Sequence, residues 1–199
     1  MTTTIASRAP GAIRRQQILD AAARLFLEEG YHGVSVDSIG AAAGITGPAI
    51  YRHFPSKEAI LIALFEEVTD EQLKVSRAIR EEDRAAIERL AALVDFHTEF
   101  ALRQRTLISV YSHEERHLPA EDRSRIRARM RMYLVEWMKV LKELHPSSSE
   151  QQRRAAVHAA VGLINAVANF GSGLRDGELA TLLRRMAMAA LVAGATPEL

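Results

Sequence analysis

Glycine and proline punctuate residues 35–55 so closely that only two short helices fit between them. In SVDSIGAAAGITGPAIYRHF, Val36, Ile39 and Ala43 recur at the spacing of one helix face. Ser35 stands where a hydroxyl accepts a backbone N–H of the first turn, and Gly44 stands where a left-handed residue stops a helix. Thr46 is placed to cap a second helix, and Pro48 fits its first turn. Pro55 disfavours helical geometry in the residue before it, so that helix is expected to end near Phe54. Two short helices about a glycine turn form a helix-turn-helix, whose second helix enters the DNA major groove.

The second helix has the side chains for that task. Thr46, Gly47, Pro48 and Ala49 keep its start small, so the backbone approaches base edges, and Thr46 and Ala49 suit thymine methyls. Tyr51, Arg52 and His53 reach phosphates or bases, and Lys57 adds a charge beside the next helix N-terminus. With Ser35 and Val36 at the first helix start, these ten residues are the expected DNA-reading set. The competing reading is a surface helical hairpin that binds nothing.

Composition narrows the classes. Of 199 residues, 48% are hydrophobic and 26% charged, which suits a chain with a packed core. The net charge is +1, so any nucleic-acid contact must be local. Cysteine is absent, which excludes thiolate metal sites and disulfides and fits a reducing cytoplasm. The first fifteen residues lack a signal-like apolar run and read as a flexible basic arm carrying Arg8, Arg14 and Arg15. Residues 155–174 carry no Asp, Glu, Lys or Arg, yet they are mostly Ala and Gly with polar interruptions. A packing helix is expected there rather than a membrane span.

Helical periodicity fills the rest, and no strand alternation or repeat is present, so the fold is expected to be all-α with about nine helices. The first helix is predicted over 13–29 and a fourth over 56–80, its AILIALF segment apolar almost all round. Others follow at 83–103, 106–117, 120–144, 150–172 and 176–193. An all-round apolar helix must be covered on several sides, so the fourth is expected to link the reading head to a second domain. The last two helices, rich in small residues, suit a four-helix dimer bundle or, failing that, one monomer's own core.

His113-Glu114-Glu115-Arg116-His117 is literally H-E-x-x-H, the zinc-hydrolase pattern. A zinc hydrolase and a metal-responsive regulator are therefore alternatives, although no third ligand follows at a suitable spacing. A helical scaffold for a protein partner is a third possibility. His97 and His158 sit among apolar neighbours, as satisfied core residues do. Arg127 and Arg131 share a helix face and suit an anionic head group. Phe96, Phe100, Tyr111, Met130, Tyr133, Trp137 and Phe170 come from four helices. They form either plain core or a cavity lining, with His97, Tyr111, Asn165 and Asn169 as its polar companions.

Residues 13–61 resemble the N-terminal domain of TetR-type transcriptional repressors. The matching pieces are Ile18-Leu19-Ala21-Ala22, Leu25-Phe26, Gly30-Tyr31, Ile39, Ala43-Gly44, Ile50-Tyr51, Phe54 and Lys57-Glu58. The resemblance implies a DNA-binding domain over residues 1–57 and an effector-binding, dimerising domain over 58–199. It implies a homodimer through the last two helices, palindromic operator DNA as partner, and a small, largely apolar effector in the cavity formed by the aromatic set. A cytoplasmic regulator with no enzyme activity, no cofactor and no membrane contact is the resulting expectation.

Overall fold

The structure, a computed structural model, describes residues 10–194. Nine α-helices and two 3-10 turns make up the regular structure of these residues, with no strand among them. They are α1 (Pro10–Gly33), α2 (Val36–Ala42), α3 (Gly47–Ile50), α4 (Lys57–Glu81), α5 (Ala86–Arg103), α6 (Arg105–Glu114), α7 (Ala120–Leu144), α8 (Glu150–Asn165) and α9 (Asp176–Gly194). The 3-10 turns follow α6 at Glu115–His117 and α8 at Ala166–Ala168.

Two cores organise these helices. The first gathers Ile18, Leu19, Ala22 and Phe26 of α1, Ile39 of α2 and Ile50 of α3 against Ile60, Leu61, Leu64 and Phe65 of α4. Val110 of α6 and Ile126 of α7 close the same core. The second gathers Leu90, Leu93 and Val94 of α5 with Tyr133, Trp137 and Leu141 of α7. Val157, Ala160 and Ile164 of α8 and Leu183, Ala187 and Leu191 of α9 complete it. Helix α4 enters both, because Ile79 near its end belongs to the second core. A three-helix head this small buries little surface by itself. Each large side chain of α4 that it covers contributes about 1.5–3 kcal/mol.

Helices α4 and α7 pack along their length and share a ladder of ion pairs. Glu66 meets Arg125 at 2.9 Å and Arg129 at 3.3 Å, and Asp70 meets Arg129 at 3.5 Å. Further on, Glu136 takes Lys139 at 2.9 Å, Arg77 at 3.9 Å and Arg80. The pairing ascends in both helices, so the two run in the same direction. Burial pushes the Glu136 carboxyl up, but hydrogen bonds from Lys139 and Arg80 outweigh it and hold the group below its ordinary value.

Several predicted boundaries move. Arg14 and Arg15 stand on α1, not on a flexible arm; Arg8 lies outside the described residues. The guanidinium of Arg15 sits 4.9 Å from the Phe54 ring centroid, which ties α1 to the end of the reading head. Helix α1 continues past Gly30, but only through a break, since Gly30 has φ 72° and begins a new turn. Helix α8 stops at Asn165 instead of running to Ser172. Its last turn tightens to 3-10, and Gly173 at φ 74° takes the chain out of helical geometry before α9. That early stop carries Phe170 into the connection, where it is 52% exposed. No helix of the described residues is long and apolar enough to cross a membrane.

Lys57 is the largest departure from the sequence reading of the head. Its ammonium donates to the carbonyl oxygens of Tyr31 at 2.6 Å and Val34 at 2.7 Å, and lies 4.3 Å from the Tyr31 ring centroid. It staples the first residue of α4 to the α1–α2 connection rather than projecting toward a phosphate. Lys57→Met is expected to lower the unfolding free energy by about 2 kcal/mol, seen as a lower urea midpoint at unchanged slope. An unchanged midpoint would remove the staple.

Candidate functional site

The reading head is fixed by its caps. Ser35 Oγ accepts from Ser38 N at 3.0 Å while Ser35 N donates to Ser38 Oγ at 3.0 Å, a reciprocal cap that starts α2. Gly44, at φ 66°, lets the chain reverse, and Ile45 N then donates to Gly40 O at 2.8 Å. Gly40 itself has to be small: a Cβ there would sit 3.3 Å from Ile45 O. Thr46 occupies the cap position of α3, but its side chain makes no capping bond. Helix α3 is a single turn, continued by 3-10-like bonds through His53 N to Ile50 O at 2.9 Å.

This geometry brings part of the predicted DNA set to one surface. Thr46, Tyr51 and Arg52 are exposed, and Ala49 and His53 are half-buried. Arg14, Gly44, Ile45, Thr46, Ala49, Arg52 and His53 line a shallow depression of about 500 Å³. The α1 residue Arg14, expected on a basic arm along the DNA backbone, joins this depression from a helix instead. Ser35 is exposed as a cap, and Val36 packs partly on the first core. Gly47 and Pro48 form the backbone start of α3, and the Pro48 side chain lies outside what is described. Lys57 does not join this surface.

Behind the head, two adjoining cavities share Gln72, Met130, Gly162 and Asn165. The first, about 410 Å³, lies among α4, α5, α6, α7 and α8. Phe65, Val68, Phe100, Leu107, Ile108 and Tyr111 are among its walls, and no residue lining it is charged. The second, about 370 Å³, is lined by His97, Tyr133 and Leu134 and by Arg127, Arg131 and His158, with no acidic residue. Arg127 is held by Glu115 through Nε at 3.1 Å and Nη2 at 2.7 Å. Arg131 is exposed and makes no ion pair among the described residues. Burial and the hydrogen bond to Glu115 push the Tyr111 phenol up to about 12, so it stays protonated.

Of the predicted effector set, Phe100, Tyr111, Met130, Asn165 and Asn169 line the first cavity, and His97, Met130, Tyr133 and Asn165 line the second. Three residues do not line either. Trp137 is fully enclosed in the second core, Phe96 packs partly against that core, and Phe170 faces outward because α8 ends early. Gln72, Thr69 and Arg127 line the cavities but were absent from that set. Only the facing of α4 and α7 reveals them, although Arg127 and Arg131 were legible as a cationic face.

His97 is enclosed completely and both its nitrogens are paired. Tyr133 Oη lies 3.0 Å from Nδ1, and Asn165 Oδ1 lies 3.1 Å from Nε2. Among the described residues no other acceptor for the buried Tyr133 proton lies within hydrogen-bond distance. A buried donor without a partner costs about 1–3 kcal/mol. The phenol therefore donates to Nδ1, and the proton on Nε2 goes to Asn165. Burial pushes the His97 imidazole down to about 4, against the opposing bond to Asn165.

The H-E-x-x-H stretch does not form a metal centre. Helix α6 ends at Glu114, so His117 falls in the 3-10 turn and leaves the register that would align it with His113. His113 Nδ1 lies 2.7 Å from Ser109 O, within its own helix. His117 instead stacks on Tyr31, centroids 5.2 Å apart at 15°, and its Nδ1 lies 3.1 Å from His32 Nε2. Glu114 sits 3.4 Å from the other nitrogen of His117. Burial first, then the neighbouring His32, pushes the His117 imidazole down. Among the described residues no three His, Asp or Glu side chains are grouped to hold an ion. The motif latches the end of α6 to the end of α1.

A helix-turn-helix head joined by one long helix to a cavity-bearing helical body defines a class of helix-turn-helix proteins. Residues 18–64 match the family described as bacterial regulatory proteins, tetR family, and residues 83–170 match the tetracyclin repressor-like C-terminal domain. The chain belongs to the TetR family. It is 33% identical over 118 residues to the fatty acid metabolism regulator protein of Bacillus subtilis, covering 59% of this chain and 61% of that one. It is 32% identical over 129 residues to the transcriptional repressor KstR2 of Rhodococcus jostii, covering 64% and 63%. The chain thus spans about three fifths of the length of these relatives. Among solved structures it resembles FadR from Bacillus subtilis in complex with stearoyl-CoA, at 26% identity and TM-score 0.73, over 91% of this chain and 99% of that one.

The neutral, buried His97 predicts an acid-sensitive body. Unfolding returns the imidazole to its ordinary value of 6.5, so between pH 6.5 and about 4 the unfolded chain binds more protons. Stability therefore falls as pH drops through that window, by about 3 kcal/mol in all from this group. In His97→Gln that part of the pH dependence is expected to vanish, as read by urea unfolding at stepped pH. Parallel curves for the two proteins would remove the assignment.

Proposed function

We propose that this protein is a dimeric transcriptional repressor released from operator DNA by an amphipathic acyl effector. The observation that carries the effector reading is the change of character between the adjoining cavities. One has uncharged walls suited to an alkyl chain; the other presents Arg131, which makes no ion pair among the described residues, beside the Glu115-held Arg127, to an anionic head. A relative whose structure contains stearoyl-CoA supports the same class of ligand. The chain acts as a regulator rather than an enzyme, and works in the cytoplasm where the DNA is.

In this reading residues 1–57 read DNA and residues 58–199 bind effector and dimerise. Thr46, Ala49, Tyr51, Arg52 and His53 meet the major groove, and Arg14 meets the flanking backbone. Two heads are needed because half-sites lie about one DNA turn apart. Helices α8 and α9 supply the dimer surface, since Ala155, Ala159, Met186 and Ala189 lie exposed on them.

Release follows from shared walls. Phe65 of α4 belongs to the head core and lines the first cavity, and α6 both lines that cavity and carries the latch to α1. An effector that prefers one packing of α4 and α6 shifts the spacing of the two heads, by no more than its preference for that packing.

DNA flanking the protein's own coding region is expected to be retarded in a gel by the wild type and released by added stearoyl-CoA. Tyr51→Ala and Arg52→Ala are each expected to weaken retardation about tenfold or more. Unchanged affinity in both variants would remove the assigned head. Met186→Glu is expected to sediment as a monomer and to lose retardation; a stable dimer would move the interface elsewhere.

A further inference from the structure

We infer that Asn165 presents its amide NH2 as a fixed donor where the two cavities meet, so that the effector carries a carbonyl at the junction of its apolar tail and anionic head. The inference rests on the effector reading above and adds to it the protein group that recognises the acyl carbonyl. An asparagine amide offers an acceptor at one end and a donor at the other, and nothing in its shape decides which faces a ligand. Here the interior decides. Tyr133 gives its proton to His97 Nδ1 at 3.0 Å, which leaves the His97 proton on Nε2, and that proton captures Asn165 Oδ1 at 3.1 Å. Turning the amide over would set two N–H groups against each other and strand the donor of the buried His97 ring.

The other end of the amide is therefore Nδ2, and among the described residues it has no hydrogen-bond partner. Asn165 lines both cavities, as do Gln72, Met130 and Gly162. Gly162, one turn earlier on α8, leaves room beside it: a Cβ there would meet nothing within 4 Å. A molecule lying across both cavities passes this donor as the walls change from uncharged to cationic. A methylene at that point displaces water from the amide and returns nothing, whereas a carbonyl oxygen replaces the lost bond. The cluster thus selects for a thioester, ester or amide over a plain ether of equal length.

The test uses the full-length protein and two probes in calorimetric titration: stearoyl-CoA, and its S-octadecyl thioether, in which a methylene replaces the carbonyl. The wild type is expected to bind the thioester about tenfold more tightly than the thioether. Asn165→Asp keeps an acceptor for His97 and removes the donor, so the ratio is expected to fall to near one. Its added negative charge weakens both probes alike, which leaves the ratio readable. Asn165→Ala gives the same collapse if the Asp variant does not fold. A wild-type ratio near one, or a preference that survives in either variant, overturns the inference and leaves the effector reading standing. Failure of both probes to bind the wild type overturns the acyl reading and the inference with it.

Discussion

Helix α4 begins with a segment that has no face to expose, and much of the molecule is arranged to cover it. Ile60, Leu61, Leu64 and Phe65 are buried against α1, α2 and α3 on one side and against α6 and α7 on the other. The head gains from this the apolar area that three short helices lack. The same burial makes the head mechanically dependent on the body, since packed side chains transmit displacement rather than absorb it. The Lys57 staple and the His32–His117 contact are secondary fastenings around that joint.

Past Phe65, α4 changes character. Thr69, Gln72 and Ser76 are buried, yet the hydroxyls of Thr69 and Ser76 are satisfied by carbonyls of their own helix, at 2.8 Å to Phe65 O and 3.0 Å to Leu73 O. The two hydroxyls are tolerated there because they need nothing from the opposite wall. That leaves the space between α4 and α8 open instead of filled by core. Across it, the Tyr133–His97–Asn165 series ties α7, α5 and α8 together and turns a flexible amide into an oriented group.

Electrostatics here are local throughout. A net charge of +1 gives no field to draw in a polyanion, so recognition depends on a few groups held in place. Most arginines of α7 are already engaged: Arg125 and Arg129 with α4, and Arg127 with Glu115. Arg131 stands apart from them at the second cavity. Surface pairs of this kind add little stability singly, but a ladder ascending both helices fixes their relative register.

The all-α class, the helix-turn-helix and the long fourth helix were legible in the residues, because caps, glycine stops and a 3.6-residue period are local properties of the chain. So were Tyr51 and Arg52 as exposed groups and Arg127 and Arg131 as a cationic face. What the chain cannot state locally is which face meets which. Lys57 reads as a free cation until the α1–α2 carbonyls are placed above it, and H-E-x-x-H reads as a metal motif until α6 ends one turn early. Phe170 and Trp137 look equally suited to a cavity, yet one is left outside by the premature stop of α8 and the other is enclosed by core. Long-range packing made those choices, since a side chain's partner is set by the distance between helices and not by its neighbours in sequence.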